Sequence, residues 1–261
     1  MSLTAADLSL ADVLDIYFTT LGDVDAHRPV AGGRTWRGSL LGSCLRRQYI
    51  QAVEHRPLPL VDARTQRVFQ VGHLTGRLIG EAFQALGILL EEELPLSDDE
   101  LDIGAHVDFL IGGPIQAPGS DDRLLVTVRE RLRARYGPEL PRIGVELKSK
   151  NSKSFWWAAK KKETVAGDHQ LIQAACYDVL ARRHGVPVDR WAVLSVSKDD
   201  LTLAEDHVTD WHRAQVVERL TALNKAKVAQ DPSSLPCSCL TDWGGKGWKY
   251  CPYGIDERTC C

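Results

Sequence analysis

The chain has 261 residues, of which 44% are hydrophobic and 26% are charged. These proportions are ordinary for a soluble globular protein, and the length suffices for one domain with a sizeable core. No apolar run approaches the length of a membrane span, and the N-terminal MSLTAADLSLADVL lacks the basic and apolar regions of a signal peptide, so we expect neither feature. The net charge of −3 argues against a uniformly basic nucleic-acid binder, although a local basic patch would still suffice.

The cysteines are concentrated at the C-terminus. The chain has seven, an odd number, and no export signal, which together disfavour a disulfide framework. Five of them fall within the last 25 residues: Cys237, Cys239, Cys251, Cys260 and Cys261. This clustering indicates a metal or cluster site in a reducing cytoplasm. Of the other two, Cys44 stands near the start and Cys176 lies in an apolar helical run.

The first part of the chain is predicted to be helical. Helical periodicity covers 8–21, a loop follows at 26–34, and a second helix begins near Ser39 and carries Cys44. A third helix runs from about Ala63 to Leu86 and contains VFQVGHLTGRLIGEAF. A lone cysteine such as Cys44 is often only a small buried hydrophobe, so packing is one interpretation of it.

The rest of the chain mixes strands with helices. Strands are predicted at 89–94, 105–111, 142–150, 191–196 and 201–207. A polar insertion at 112–141 contains the basic helical piece RERLRARYG, and further helices are predicted at 168–183 and 208–229. From Asp231 onward the chain is rich in Pro, Gly and Cys and needs a cross-link to form a core.

The strand Arg142–Lys150, with the sequence RIGVELKSK, organises the candidate site. Its apolar residues alternate with polar ones, so Glu146 and Lys148 project from the same face. A carboxylate beside an ammonium on one stiff strand can hold a divalent metal and a phosphate oxygen at a fixed separation. The alternative is an ordinary ion pair on a half-exposed strand, because so short a motif often occurs by chance.

Two other elements carry polar residues within apolar runs. In AHVDFLI, Asp108 interrupts a strand, where a buried carboxylate is costly unless it is paired, hydrogen-bonded or bound to metal. A turn at the strand end is the simpler structural interpretation. Gln173 and Tyr177 are four residues apart and share one helix face, which a partly buried helix would also explain.

In chain order the polar residues are His73, Asp108, Glu146, Lys148, Gln173 and Tyr177. This order, in the stretches GHLTGR, AHVDFL, VELKSK and QAACY, resembles the PD-(D/E)xK nucleases and specifically their RecB-like branch. One cysteine before these motifs and several after them resemble the iron–sulfur subset of that branch, which includes CRISPR-associated RecB-like exonucleases and the AddB nuclease domain. The resemblance covers roughly Ser39 to Cys261.

The resemblance implies a fold and a domain organisation. The fold would be α/β, a restriction-endonuclease-like core with a mixed central β-sheet flanked by helices, plus a cysteine-rich iron–sulfur cap. A single nuclease domain would span 1–261. Its N-terminal helical part would cover 1–62, its core 63–230 with the insertion 112–141, and its cluster segment 231–261.

The implied function is a Mg²⁺- or Mn²⁺-dependent DNA exonuclease that acts on single-stranded ends in recombination, repair or end processing. Phosphodiester hydrolysis needs a cation to neutralise phosphate charge and to generate hydroxide near neutral pH. Asp108, Glu146 and the backbone carbonyl of Leu147 would hold that cation, with His73 as a nitrogen ligand that favours Mn²⁺. Lys148 would stabilise the transition state or orient water.

Gln173 and Tyr177 would position Lys148 and the DNA backbone. The chain departs from the family pattern at the first two motifs. Gly104 lies four residues before Asp108, where the family usually has three. The first-motif histidine usually follows its glycine at a longer spacing, so Gly76 is an equivalent position, and Glu81 is the substitute for His73.

The cysteines allow two kinds of site, structural zinc or an iron–sulfur cluster. Zinc sites usually have Cys-x₂₋₄-Cys pairs, whereas the close pair Cys237 and Cys239 has one residue between its members, and the resemblance favours [4Fe–4S]. The ligand set is predicted as Cys44, Cys239, Cys251 and Cys260, with Cys237 and Cys261 as rivals. Cys176 is assigned to packing.

A basic, aromatic segment, KSKNSKSFWWAAKKKE, follows the Glu146 strand. Lys150 and Lys153 would contact phosphates, and Trp156 and Trp157 would stack on unpaired bases. Alternatively, the aromatic side chains, Phe155 among them, belong to the core and the lysines to a solvated face, or one tryptophan lies inside and one outside.

Two other functions remain open at this point. One is a DNA-binding or scaffold module on a nuclease fold, with a cluster that serves structure or redox sensing. The other is an endonuclease of the same superfamily that recognises a particular sequence or DNA structure.

Overall fold

A computed structural model describes residues 14–18, 30–56, 61–115, 123–161 and 164–237. Residues 14–18 are helical, and the longer helices of these ranges are α1 (Leu45–Ala52), α2 (Ala63–Leu86), α3 (Arg123–Tyr136), α4 (Ser152–Lys161), α5 (Asp168–Arg183) and α6 (Asp210–Ala229). The strands are β1 (Trp36–Arg37), β2 (Leu89–Asp98), β3 (Ile103–Pro114), β4 (Glu139–Lys150), β5 (Arg190–Ser197) and β6 (Leu203–His207). No helix in the described ranges is long and apolar enough to cross a membrane.

The six strands form one mixed sheet, which confirms the predicted α/β class with a central sheet flanked by helices. The strand order is β1–β3–β4–β5–β6, and β2 also pairs with β3. β4 and β5 are parallel, and the chain between them forms α4 and α5, because a parallel pair needs a long crossover connection. β5 and β6 form an antiparallel hairpin, as predicted.

α5 is the central helix of the core. Ten of its residues are buried, because it packs against the sheet on one side and α6 on the other. Trp36, Ile103 and Trp191 are among the large side chains buried with it. The sequence of α5 is accordingly apolar around most of its circumference, as expected for an enclosed helix.

α2 packs closely on the sheet through glycines spaced four residues apart. A Cβ atom at Gly80 would lie 3.0 Å from the ring of Phe109, and one at Gly76 would lie 3.7 Å from Leu147 Cδ2. Glycines at these positions therefore let the helix backbone approach β3 and β4 closely. The helix begins where Asp62 accepts a hydrogen bond from the backbone N–H of Thr65 at 2.7 Å.

Several predicted boundaries need correction. The helix expected near Ser39 is α1 and begins at Leu45, with Cys44 as its N-cap. β2 continues through Pro95 to Asp98, which an edge strand tolerates because its outer N–H groups need no partner. β3 and β4 extend into the predicted insertion 112–141, and α3 lies between them. The basic, aromatic segment forms α4, and β1 was not predicted.

Candidate active site

The candidate site lies where β3 and β4 separate. These antiparallel strands are paired from Phe109 opposite Val145 outward to Pro114 opposite Glu139. In the other direction β3 continues along β2, while β4 continues along β5. A gap therefore opens in the sheet, with Asp108 on one side and Glu146 on the other.

The side chain of Asp108 bridges this gap. Its Oδ2 accepts a hydrogen bond from the backbone N–H of Leu147 at 2.7 Å, where a ladder of backbone hydrogen bonds would otherwise continue. The N–H and C=O of one strand residue point toward the same neighbouring strand. The carbonyl of Leu147 therefore also faces the gap, which suits its predicted role as a metal ligand.

Glu146 and Lys148 project together, as their spacing predicted, and they form an ion pair through Glu146 Oε1. The carboxylate of Glu146 is almost fully buried, with 1% of the side chain exposed. Its second oxygen, Oε2, has no hydrogen-bond partner among the described residues. A buried carboxylate oxygen without a partner is costly, so this oxygen is available to a cation or a donor that enters the gap.

Among the described residues, the gap contains two carboxyl groups, those of Asp108 and Glu146, but only one ammonium group, that of Lys148. Burial raises the pKa of Asp108, and the neighbouring charge of Glu146 raises it further, while Lys148 lowers it only in part. Burial alone would lower the pKa of Lys148, but the two carboxylates outweigh burial and raise it, so its ammonium stays charged. Two carboxyl groups thus share one ammonium, and the raised pKa of Asp108 favours its protonated form in the absence of a further cation.

α5 closes the face of the sheet from which Glu146 projects. Gly144, two residues earlier on the same face, lies under the ring of Trp191, and this ring contacts that of Tyr177 at 6.0 Å between centroids. Gln173 Nε2 donates to Tyr177 Oη at 2.6 Å, so the predicted pair is brought together. Burial, followed by the charges of Glu146 and Asp108, raises the pKa of Tyr177 and keeps its hydroxyl protonated.

α2 forms the opposite wall of the site. His73 lies in the wall of the cavity that contains Asp108 and Glu146, whereas Glu81 is not among the residues that line it. Of these two candidates only His73 therefore lies at the cavity, and within the described part of the chain no ion pair or hydrogen bond joins its imidazole to a carboxylate. Its role as the first-motif residue stays a prediction. Among the described residues, no three His, Cys, Asp or Glu side chains already surround a common point as metal ligands would.

One cavity of about 770 Å³ collects the predicted residues. Its wall contains His73, Asp108, Glu146, Leu147, Lys148, Gln173 and Tyr177. It also contains polar and aromatic residues that the sequence did not single out, namely Arg37, Phe69, Arg77, Glu92, Glu93, His106 and Lys198. Phe69 and Arg77 stand four residues before and after His73, so helical spacing would have found them. The other five carry no local signal.

Glu93 has an unusual backbone. Its φ is 52° in the middle of β2, at the position across from Asp108 between the pairs Glu92–Phe109 and Leu94–Val107. Non-glycine residues in this region are strained, and such residues occur preferentially at functional sites. The charge of Glu93 also contributes to the raised pKa of Asp108.

The four candidate DNA contacts of the basic, aromatic segment lie outside the cavity wall. Phe155 is buried, while Trp156 and Trp157 are 50% and 60% exposed, so the aromatic side chains divide between core and surface. Lys161 stands over the ring of Trp157 at 3.6 Å from its centroid. Lys150 donates to the carbonyl of Val165, and Lys153 is exposed. Their role in DNA binding stays a prediction.

The predicted cluster ligands are only partly described. Cys44 is buried and is the N-cap residue of α1. Arg46 donates to the carbonyls of Ser233 at 2.9 Å and Leu235 at 2.8 Å, which joins this helix to the chain just before Cys237. Cys237 is disulfide-bonded and so is not a free thiolate in this structure. The remaining candidates, Cys239, Cys251, Cys260 and Cys261, lie outside the described residues.

Cys176 belongs to the core. It is fully buried on α5, where a Cβ atom at Gly38 would lie 3.3 Å from its sulfur. Burial raises the pKa of its thiol to about 12, so it stays protonated. These features favour the packing role that the sequence predicted.

No protein-family model matches the chain, and no curated protein sequence matches it. The solved structures that are similar to it include two of low identity. The protein SSO0001 is 14% identical, with a TM-score of 0.47 over 94% of this chain and 93% of that one. A protein named "Putative exonuclease" from Eubacterium rectale is 9% identical, with a TM-score of 0.36 over 94% of this chain and 92% of that one.

Proposed function

We propose that the chain is a metal-dependent DNA exonuclease that acts on single-stranded ends, in end processing, recombination or repair. One observation carries this proposal. The half-buried Asp108 and the buried Glu146 share a single ammonium at the point where β3 and β4 part, and both line a cavity. A stable fold gains nothing from this imbalance, whereas a hydrolase that recruits a divalent cation requires it.

The residues at the gap fit Mg²⁺ or Mn²⁺. Asp108, Glu146 and the carbonyl of Leu147 present oxygen atoms, which both ions prefer, and Glu146 Oε2 lacks a protein partner in the described chain. His73 would add a nitrogen from α2. When bound, the cation would supply charge neutralisation at the phosphate and an activated water.

The protein's own groups would handle the substrate phosphate. Lys148 stays protonated beside Glu146, so its ammonium is placed to stabilise negative charge that develops on the phosphate. The Tyr177 hydroxyl accepts a hydrogen bond from Gln173 and still has its own proton to donate to an oxygen in the cavity. Gln173 thereby orients Tyr177, and Tyr177 helps to position the DNA strand.

The experiment measures loss of a labelled single strand with Mg²⁺ or Mn²⁺ and with a chelator. We expect Lys148→Ala and Glu146→Ala each to abolish cleavage, a loss of at least about 10²- to 10³-fold, while the fold is retained. Lys225→Ala, on the exposed surface of α6 and outside the cavity wall, is the matched control and should cleave normally. Retained activity in both purified site variants would disprove the proposal.

Different DNA substrates in the same assay distinguish an exonuclease from an endonuclease. An exonuclease requires a free end, so it spares covalently closed single-stranded circles, while an endonuclease cuts them. A DNA-binding or scaffold module is the alternative that the absence of a preformed three-ligand set among the described residues keeps open. It would bind the strand without any metal-dependent loss.

A [4Fe–4S] cluster held by Cys44, Cys239, Cys251 and Cys260 is a second part of the proposal. The tie between Arg46 and residues 232–235 supports it, because this tie brings the Cys44 end of α1 to the chain that leads into the C-terminal cysteines. Iron, sulfide and zinc analysis with an ultraviolet–visible spectrum of anaerobically purified protein tests it. Stoichiometric zinc without iron would refute the cluster and leave the gap site untouched.

A further inference from the structure

One face of α2 presents three different functional groups to the cavity. Phe69, His73 and Arg77 follow one another at intervals of four residues, and all three line the cavity wall. Side chains at this spacing are neighbours on one helix face, and the row spans about 12 Å along the axis. An aromatic ring, an imidazole and a guanidinium thus form a row along the wall opposite α5.

Phe69 is placed to receive a ligand. Half of its surface is exposed, although it stands in the wall of a cavity that is lined mainly by charged and polar residues. The helix has other exposed apolar side chains, including Val71, Leu74 and Leu78, but these do not line the cavity. The backbone next to Phe69 is fixed, because Lys198 Nζ donates to the carbonyl of Val68 at 3.1 Å.

Arg77 supplies a positive charge at the other end of the row. It is exposed, and within the described part of the chain it makes no ion pair with a carboxylate. The cavity also contains acidic residues, so a guanidinium here adds local attraction for an anionic strand that the net charge of −3 would not provide. Arginine binds phosphate oxygens through parallel N–H donors.

We propose that Phe69 and Arg77 form a strand-guiding subsite, in which an unpaired nucleobase stacks on Phe69 and a phosphate of the same strand binds Arg77. The strand would then lie along α2 and present the phosphate between these contacts to the gap at Asp108 and Glu146. Both are positioning residues. This inference rests on the proposed function. It adds a physical reason for the preference for single-stranded over duplex DNA, because a base within a duplex is already paired and stacked.

The test uses the full-length protein in chelator, so that binding is measured without cleavage. The probe is a single-stranded oligothymidylate that carries one 2-aminopurine, whose fluorescence falls when the base stacks on an aromatic ring. We expect Phe69→Ala to abolish this quenching and to weaken binding by roughly 5- to 150-fold, the range for loss of one base–aromatic stack. Phe69→Trp should restore both, whereas Phe69→Leu should not.

The salt dependence of binding separates the two contacts. Arg77→Ala removes one phosphate contact, so the slope of log Kd against log salt should decrease by about 0.7. Phe69→Ala should leave the slope unchanged, and Arg77→Lys should preserve it. In the cleavage assay with metal, Phe69→Ala should raise KM while kcat stays within about twofold, as expected for lost binding that is equal in ground and transition states.

Leu74→Ala is the matched control, since Leu74 is an exposed apolar residue of the same helix outside the cavity wall. It should bind and quench like the parent protein. Normal binding and quenching by Phe69→Ala would overturn the inference, even if the protein cleaves DNA. Conversely, quenching that depends on Phe69 in a protein without any cleavage would sustain the subsite and refute the nuclease.

Discussion

Two sites in this molecule differ in how far positively charged side chains compensate their carboxylates. Between α5 and α6, Asp178 is buried, and each of its oxygens receives an arginine. Oδ1 accepts from Arg182 Nε at 2.7 Å, and Oδ2 accepts from Arg213 Nε. The charge of Asp178 is therefore fully compensated by the fold.

At the gap between β3 and β4 the compensation is incomplete. Asp108 and Glu146 share Lys148, and Glu146 Oε2 has no partner among the described residues. Breaking a compensated buried pair destabilises a protein, whereas an uncompensated charge is itself a cost that the fold bears. The difference separates a carboxylate that holds two helices together from a pair that, under the proposed function, would bind a cation.

The largest expected effect comes from neutralising the gap site. In Asp108→Asn the amide oxygen can still accept the hydrogen bond from Leu147, but the negative charge is lost. We expect cleavage to fall by about 10²- to 10³-fold or more, because a cation ligand is missing. In chelator, urea unfolding should give a stability equal to or above that of the parent, since Asn keeps the hydrogen bond from Leu147 and removes a carboxyl group whose ionisation burial and Glu146 oppose.

A clear loss of stability in Asp108→Asn would contradict the contrast drawn with Asp178, because it would mean that the fold depends on the Asp108 carboxylate. Retained cleavage would instead contradict the proposed role of Asp108. The two measurements are independent and are made on the same purified variant.

The opposite outcome is expected at Asp178. Asp178→Ala leaves Arg213, half-buried at the contact of α5 with α6, without its buried partner, and should cost about 3 kcal/mol of the free energy of unfolding. Cleavage per folded molecule should be retained. Asp210→Asn is the control, because Asp210 is fully exposed and also pairs with Arg213. It should cost less than about 0.5 kcal/mol. Equal effects of the two substitutions would show that burial of the pair does not matter.

The elements predicted best from the sequence are helices whose two ends are both marked by nearby residues. The bounds of α2 and α5 agree with prediction, because the apolar periodicity and the flanking residues Asp62 and Gly87 act within a few positions of each helix end. The common face of Glu146 and Lys148 is equally local. It follows from the two-residue repeat of a strand alone.

Other parts of the site depend on contacts between distant segments. The hydrogen bond from Leu147 to Asp108 joins residues 39 positions apart, and it exists only because β3 and β4 separate at that point. The position of Glu93 across from Asp108 is set by the pairing of β2 with β3. No spacing in the sequence reports either fact. The helical state of α4 was also missed, since its ten residues are too few for a clear period.

A fourth carboxylate, that of Asp98, refines the comparison, with the smallest expected effect. Burial would raise the pKa of Asp98, but the hydrogen bonds from Arg183 and the Leu101 N–H, with the nearby charges of Arg183 and His184, lower it overall. Glu100 also pairs with Arg183. Because the folded pKa lies below the unfolded value of about 3.9, the ionised form stabilises the fold at neutral pH, and this contribution is lost as the pH falls through the folded pKa.

Asp98→Asn should therefore cost about 1 kcal/mol at pH 7, an amount limited by the exposure of Arg183, and the difference between the two proteins should shrink as the pH falls below about 4 toward the folded pKa. Urea unfolding at pH 7, 5 and 3.5 measures the difference. Asp99→Asn is the control, since Asp99 is largely exposed in its pair with Arg34 and should have little effect at any of these pH values. A difference at Asp98 that persists undiminished at pH 3.5 would mean that packing, rather than charge compensation, is what the aspartate supplies.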